Sequence, residues 1–144
     1  MIILKRIKLV AIGLMLAIGI GPATADSISP EVQAALQNTI TQQMDAFRSD
    51  DGALAYSFAA PSIKRIFPSV DRFMNMVRKG YPQVYRPQAV DFGEAVLDNN
   101  KLAQKVFIEG PQGKNWVALY TFEQQADGTY KITGVFLQPG DSTV

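Results

Sequence analysis

FRSDDGALAYSFAAP, residues Phe47 to Pro61, joins two helical patterns through an acidic turn. Upstream of it, Val32, Leu36, Ile40, Met44 and Phe47 recur every three or four residues and so share one face of a helix. Ser29 and Pro30 start that helix. The serine can accept from free N–H groups of the first turn, and proline at the first helical position has no N–H to lose. The helix is predicted from about Pro30 to Arg48. Within the quoted stretch, Leu54 and Phe58 sit four apart, with the small side chains of Ala55 and Ala59 beside them. Asp50 or Asp51 can cap this second helix, and Gly52 permits a tight reversal. Pro61 is predicted to stop it, because the residue before a proline is pushed out of helical geometry.

Beyond Pro61, Ser62–Phe67 (SIKRIF) reads as a short strand or a loose turn. Ser69 caps a third helix whose first turn carries Asp71, where the helix dipole favours negative charge. Val70, Phe73, Met74 and Val77 form its buried face, and Arg72 and Lys79 point the other way. Arg78, Lys79 and Gly80 end it with cations and a glycine. Tyr81–Pro87 (YPQVYRP) reads as an irregular connector, since its two prolines argue against both helix and central strand.

The period then changes to two. Val90–Leu97, Leu102–Glu109, Trp116–Glu123 and Tyr130–Gln138 are strand-length runs rich in β-branched and aromatic residues. Turn signals at Asp98-Asn99-Asn100, Gly110-Pro111-Gln112-Gly113 and Asp127-Gly128 separate them. Short turns make neighbours antiparallel. The expected fold class is therefore α+β, three N-terminal helices packed on a curved four-strand antiparallel meander. In the third strand Trp116, Ala118, Tyr120 and Phe122 share one face, and Val117 and Leu119 the other. In the fourth, Ile132 and Phe136 oppose Val135 and Leu137. Helices cover only one side of a sheet, so apolar residues on both sides point to a partner for the second, such as a homodimer through the sheet face.

The N-terminus reads as an export signal. Lys5, Arg6 and Lys8 precede an apolar run of 12 residues, Leu9–Ile20, and Ala23-Thr24-Ala25 supplies small residues for cleavage. The run falls short of the ~20 apolar residues that span a bilayer. Residues 1–25 are expected to be a secretory signal peptide and 26–144 a single domain of 119 residues (144 minus 25), not membrane-spanning and periplasmic or secreted. Subtracting the three basic signal residues from 14 Lys+Arg leaves 11 against 13 Asp+Glu, a balance that does not favour nucleic acid.

There is no cysteine and no histidine. Packing alone must hold the domain, and imidazole-dependent acid–base chemistry and His/Cys metal clusters are excluded. No glycine-rich phosphate loop is present, so no cofactor and no metal is expected. Most acidic residues sit in turns, caps or termini. Asp91 and Glu94 on the first strand remain as candidate bases, because a strand of a cone can aim a carboxylate inward, where burial would raise its pKa. Lys64, Arg65, Arg72, Arg78, Lys79 and Arg86 face only Asp71 across 23 residues. Such a run can attract an anion, and is also what an ordinary solvated helix face looks like. Among the aromatics, Tyr56, Phe58, Tyr81, Tyr85, Trp116 and Tyr120, with Arg86 as a polar contact, are the candidate ligand-binding residues, Tyr81 and Tyr85 at the rim.

The order of three helices and a curled antiparallel sheet, with AFRSDDGALAYSFAAPSI as the helix–turn–helix opening, resembles the cystatin-like cone folds related to nuclear transport factor 2. More narrowly, Gln43–Pro61, Phe73–Val77 with Gly80-Tyr81-Pro82, Val84–Pro87 and Gly128–Gly134 resemble an uncharacterised family of bacterial exported proteins in that superfamily. The resemblance implies a fold and a location and carries no activity. Enzymes of the superfamily, such as steroid isomerases and scytalone dehydratase-like proteins, place an Asp, His or Tyr inside the cone, and no catalytic motif of theirs is matched. The expected function is a non-catalytic exported domain that binds a small apolar ligand or an envelope partner protein. The alternative is a small cofactor-free isomerase or dehydratase using Asp91, Glu94 or a tyrosine.

Overall fold

Five helices, two more than the sequence predicts, precede the four strands in the computed structural model, which describes residues 27–141. The signal-peptide reading of residues 1–25 lies outside the described residues. Helix α1 (Pro30–Arg48) starts at Ser29, whose Oγ accepts from the Val32 N–H at 3.3 Å. Leu36, Ile40, Met44 and Phe47 are buried, as their period requires.

The hinge is built differently from its sequence reading. Asp51 caps α2 (Gly52–Ser57), its carboxylate accepting from the Leu54 N–H at 3.1 Å. The left-handed residue is Asp50, at φ 53°, a conformation that aspartate tolerates better than most residues. Gly52 serves close approach instead. A Cβ there would stand 2.8 Å from Val70 Cγ1 and 3.1 Å from Met74 Cγ, so the glycine lets α2 lie directly on α4 (Val70–Gly80).

Helix α2 ends at Ser57, and the backbone then runs beside the sheet. The Ile132 N–H donates to the Phe58 carbonyl and the Ala60 N–H to the Ile132 carbonyl, both at 2.8 Å. Pro61 starts a helix rather than stopping one: α3 (Pro61–Ile66) replaces the predicted strand or loose turn. Pro82 likewise opens a one-turn helix α5 (Pro82–Tyr85) inside the predicted irregular connector. Both corrections have one cause. Proline disrupts a helix interior, whereas in the first turn its missing N–H would be unsatisfied anyway.

Strands β1 (Ala89–Asp98), β2 (Lys101–Glu109), β3 (Asn115–Gln124) and β4 (Tyr130–Pro139) form one antiparallel sheet in chain order. Asp98 pairs with Lys101, leaving Asn99 and Asn100, both at positive φ, as a two-residue hairpin turn. Directly paired residues share a face. Leu102, Gln104, Val106 and Ile108 thus join Phe122, Tyr120, Ala118 and Trp116 on the side that meets the helices.

A bulge changes the expected faces of β4. Thr121 pairs with Gly134 and Phe122 with Ile132, so Thr133 is the extra residue. Ile132 therefore joins Val135 and Leu137 on the core side, and Phe136 alone turns outward. The outer face carries Phe136, 64% exposed, and Phe107, 46% exposed. The Phe136 ring lies over Gly134, where a Cβ would come within 3.4 Å of it.

Tyr120 is completely buried, and its Oη has no hydrogen-bond partner among the described residues. Burial pushes the phenol pKa up. A folded pKa above the unfolded one gives stability that is complete below the unfolded value, about 10, and is lost as pH rises from there through the higher folded value. Tyr120→Phe removes an unpaired buried hydroxyl. It is expected to raise stability by about 1 kcal/mol near neutrality and to flatten the alkaline limb of the stability–pH curve. Urea unfolding of both proteins across that range measures both effects.

Candidate functional site

A cavity of about 180 Å³ lies between the helices and the inner face of β4. Phe47 comes from α1, Ile63 from α3, Phe73, Met76 and Val77 from α4, and Val84 from α5, with Ile132 and Val135 on the sheet side. The wall exists because α1 and α4 each turn an apolar stripe inward while the β4 bulge brings Ile132 and Val135 to the same side. Two polar side chains line it. Gln43 is buried, and its Nε2 donates to the Ala55 carbonyl at 3.1 Å, which ties α2 to α1. The other is Tyr81, half-buried at the rim. No carboxylate is among the residues that line this cavity. Such a space suits an apolar molecule and gives a proton-transfer reaction no buried base of the carboxylate kind.

Behind one wall is a polar clasp that holds the hinge to the connector. The Tyr85 hydroxyl donates to Asp50 Oδ1, and Arg86 Nη2 lies 3.1 Å from each Asp50 carboxylate oxygen. Arg86 Nη1 donates to the Phe47 carbonyl at the end of α1, and the guanidinium stacks 3.9 Å from the centre of the Tyr85 ring. Arg78 Nε donates to the Tyr85 oxygen at 3.4 Å. The Tyr85 hydroxyl, and then Arg86, hold the Asp50 carboxyl below its usual range. Left-handed geometry at Asp50 and an arginine 36 residues later are thus parts of one device.

The seven residues nominated from the sequence do not converge. Tyr81 lines the cavity. Tyr85 and Arg86 belong to the clasp. Tyr56 packs behind the wall, its hydroxyl donating to the Phe67 carbonyl at 2.6 Å and its ring 5.3 Å from that of Phe73. Phe58 is half-buried, with Lys131 Nζ 5.9 Å from its ring centre. Trp116 lines a separate groove with Gln83 and Pro111, under Lys114 Nζ at 4.5 Å. Tyr120 is sealed in the core. Asp91 and Glu94 are both exposed; Asp91 pairs across from Phe107 on the outer face, and Glu94 lies in the β1 bulge.

The residues that do form the wall are mainly aliphatic and phenylalanine positions. Ile63 and Phe67 carried a usable signal, since they stand four apart. That spacing becomes a helical one once Pro61 is read as a first-turn proline.

A search of curated proteins and a search of solved structures each return no match to this chain. Residues 29–143 match a family described as a domain of unknown function, DUF4864. That span takes in the helices, the clasp, the cavity and the whole sheet, and the chain belongs to this family.

Proposed function

We propose that this chain is an exported domain that binds a small apolar molecule in the cavity between its helices and sheet. Its fold is read as the cystatin-like cone related to nuclear transport factor 2, with residues 26–144 as the mature domain after cleavage near Ala25. Five helices on one side of a four-strand antiparallel meander are compatible with that architecture. Location in the periplasm or outside the cell rests on the basic, apolar and small-residue segments of residues 1–25.

The observation that carries the binding role is the cavity itself. At about 180 Å³ with an apolar wall, it exceeds the roughly 150 Å³ engineered cavity that takes up benzene. Its occupant is a single ring or a short chain.

Toluene titrated against the protein provides the test, followed as a shift in the thermal unfolding midpoint. Ligand at about ten times its Kd stabilises by about 1.4 kcal/mol, or about 5 °C for a domain of this size. Ile63→Trp places an indole in the space and is expected to abolish the shift while the variant still unfolds cooperatively. Wild-type protein that shows no shift up to the solubility of toluene would remove this reading.

A further inference from the structure

Ile63, Phe67, Met76, Tyr81 and Val135 line the cavity and keep part of their surface exposed, so they mark its mouth. Met76 lies on α4, and Arg72 and Lys79 stand four residues before it and three after. That spacing sets both cations on the same edge of the helix, within roughly 60° of Met76 and on the side away from Phe73 and Val77. Both are exposed. Neither takes part in the ion pairs formed among the described residues, Arg48–Asp45 and Arg86–Asp50. Asp71, the acidic residue of α4, falls about 140° from Met76 around the helix. The rim beside Met76 is thus basic and the interior apolar.

We infer that the ligand is an anionic amphiphile with one short chain. Its apolar part enters between Met76 and Val135, and its anion stays at the surface against the Arg72 guanidinium and the Lys79 ammonium. This inference rests on the binding role proposed for the cavity. Size limits the chain: about 180 Å³ holds a ring or roughly six to eight carbons, too little for a two-chain lipid. Leaving the anion at the mouth avoids the desolvation that burying it would cost. Each methylene that still fits is expected to raise affinity about fourfold.

Octanoate and octan-1-ol share a chain and differ in the head group, so titration calorimetry with the two probes at about neutral pH separates the contributions. The wild-type protein is expected to bind octanoate about three to ten times more tightly than octanol, within the range for two solvent-exposed cations. The advantage should shrink as salt rises from about 0.05 to 0.5 M. In the double variant Arg72→Gln/Lys79→Gln, octanoate should fall to the level of octanol or below while octanol binding is unchanged, which also shows that the variant is folded. Equal binding of the two probes to wild type, or an octanoate advantage that survives in the double variant, would overturn the anionic head group and leave the apolar cavity standing. If neither probe binds, the cavity reading and this inference fail together.

Discussion

Phe47→Ala is expected to lower the free energy of unfolding by about 4–5 kcal/mol, the upper end of the range for a buried phenylalanine. Phe47 is 1% exposed, with the ring centres of Phe73 and Tyr85 at 6.2 and 6.1 Å. It also forms part of the cavity wall. Truncation adds the volume of the ring to a space that is already open, so the neighbours cannot close over it and the cost of the void is felt in full. The backbone carbonyl of Phe47 remains to accept from Arg86, which keeps the clasp and confines the effect to packing. Urea unfolding should show a lower midpoint with an unchanged slope. The enlarged cavity should in turn accept molecules wider than a single ring.

The second large effect lies in the hinge. Gly52→Ala is expected to destabilise by about 1–3 kcal/mol through overpacking, because the new methyl would stand 2.8 Å from Val70 Cγ1 and 3.1 Å from Met74 Cγ. Backbone conformation is not the cause, since the left-handed residue is Asp50. Two comparisons isolate the mechanism. Gly80→Ala, where nothing beyond the glycine's chain neighbours and its own helix backbone lies within 4 Å of the added carbon, should be close to neutral. Val70→Ala added to Gly52→Ala should recover part of the loss, as expected of residues in contact. A full, unrecovered loss in the double variant would assign the glycine a different role.

Much of the architecture is legible in the chain. Helix α1 carries five apolar positions in period behind a Ser-Pro start, and each strand is bounded by a turn signal, so both survive a reading from residue type alone. What escapes such a reading depends on pairing or position. Proline has opposite meanings in the first turn and the interior of a helix, so residue type alone does not announce α3 and α5. The extra residue Thr133 is defined only by the register of β4 against β3, so Ile132 and Phe136 read as neighbours when they face opposite ways.

The cavity wall is less legible for a related reason. Aromatic identity does not say whether a ring faces a cavity, the core or a cation. Tyr120 went to the core, Tyr85 to the clasp and Trp116 to another groove, while Phe47, Ile63 and Val84 form the wall. The Asp50–Arg86 pair spans 36 positions, beyond any local pattern. Asp51 keeps its expected capping role, and Asp50 proves to be the residue that couples the hinge to the cavity wall through Arg86 and Phe47.

A crystal structure of the wild-type protein under xenon pressure would show whether the cavity is open and apolar, because xenon enters apolar cavities without needing a polar partner. A xenon atom is expected among Phe47, Ile63, Val77 and Val135, with the surrounding side chains unmoved. A cavity filled by collapsed side chains, or one holding only hydrogen-bonded water, would contradict it.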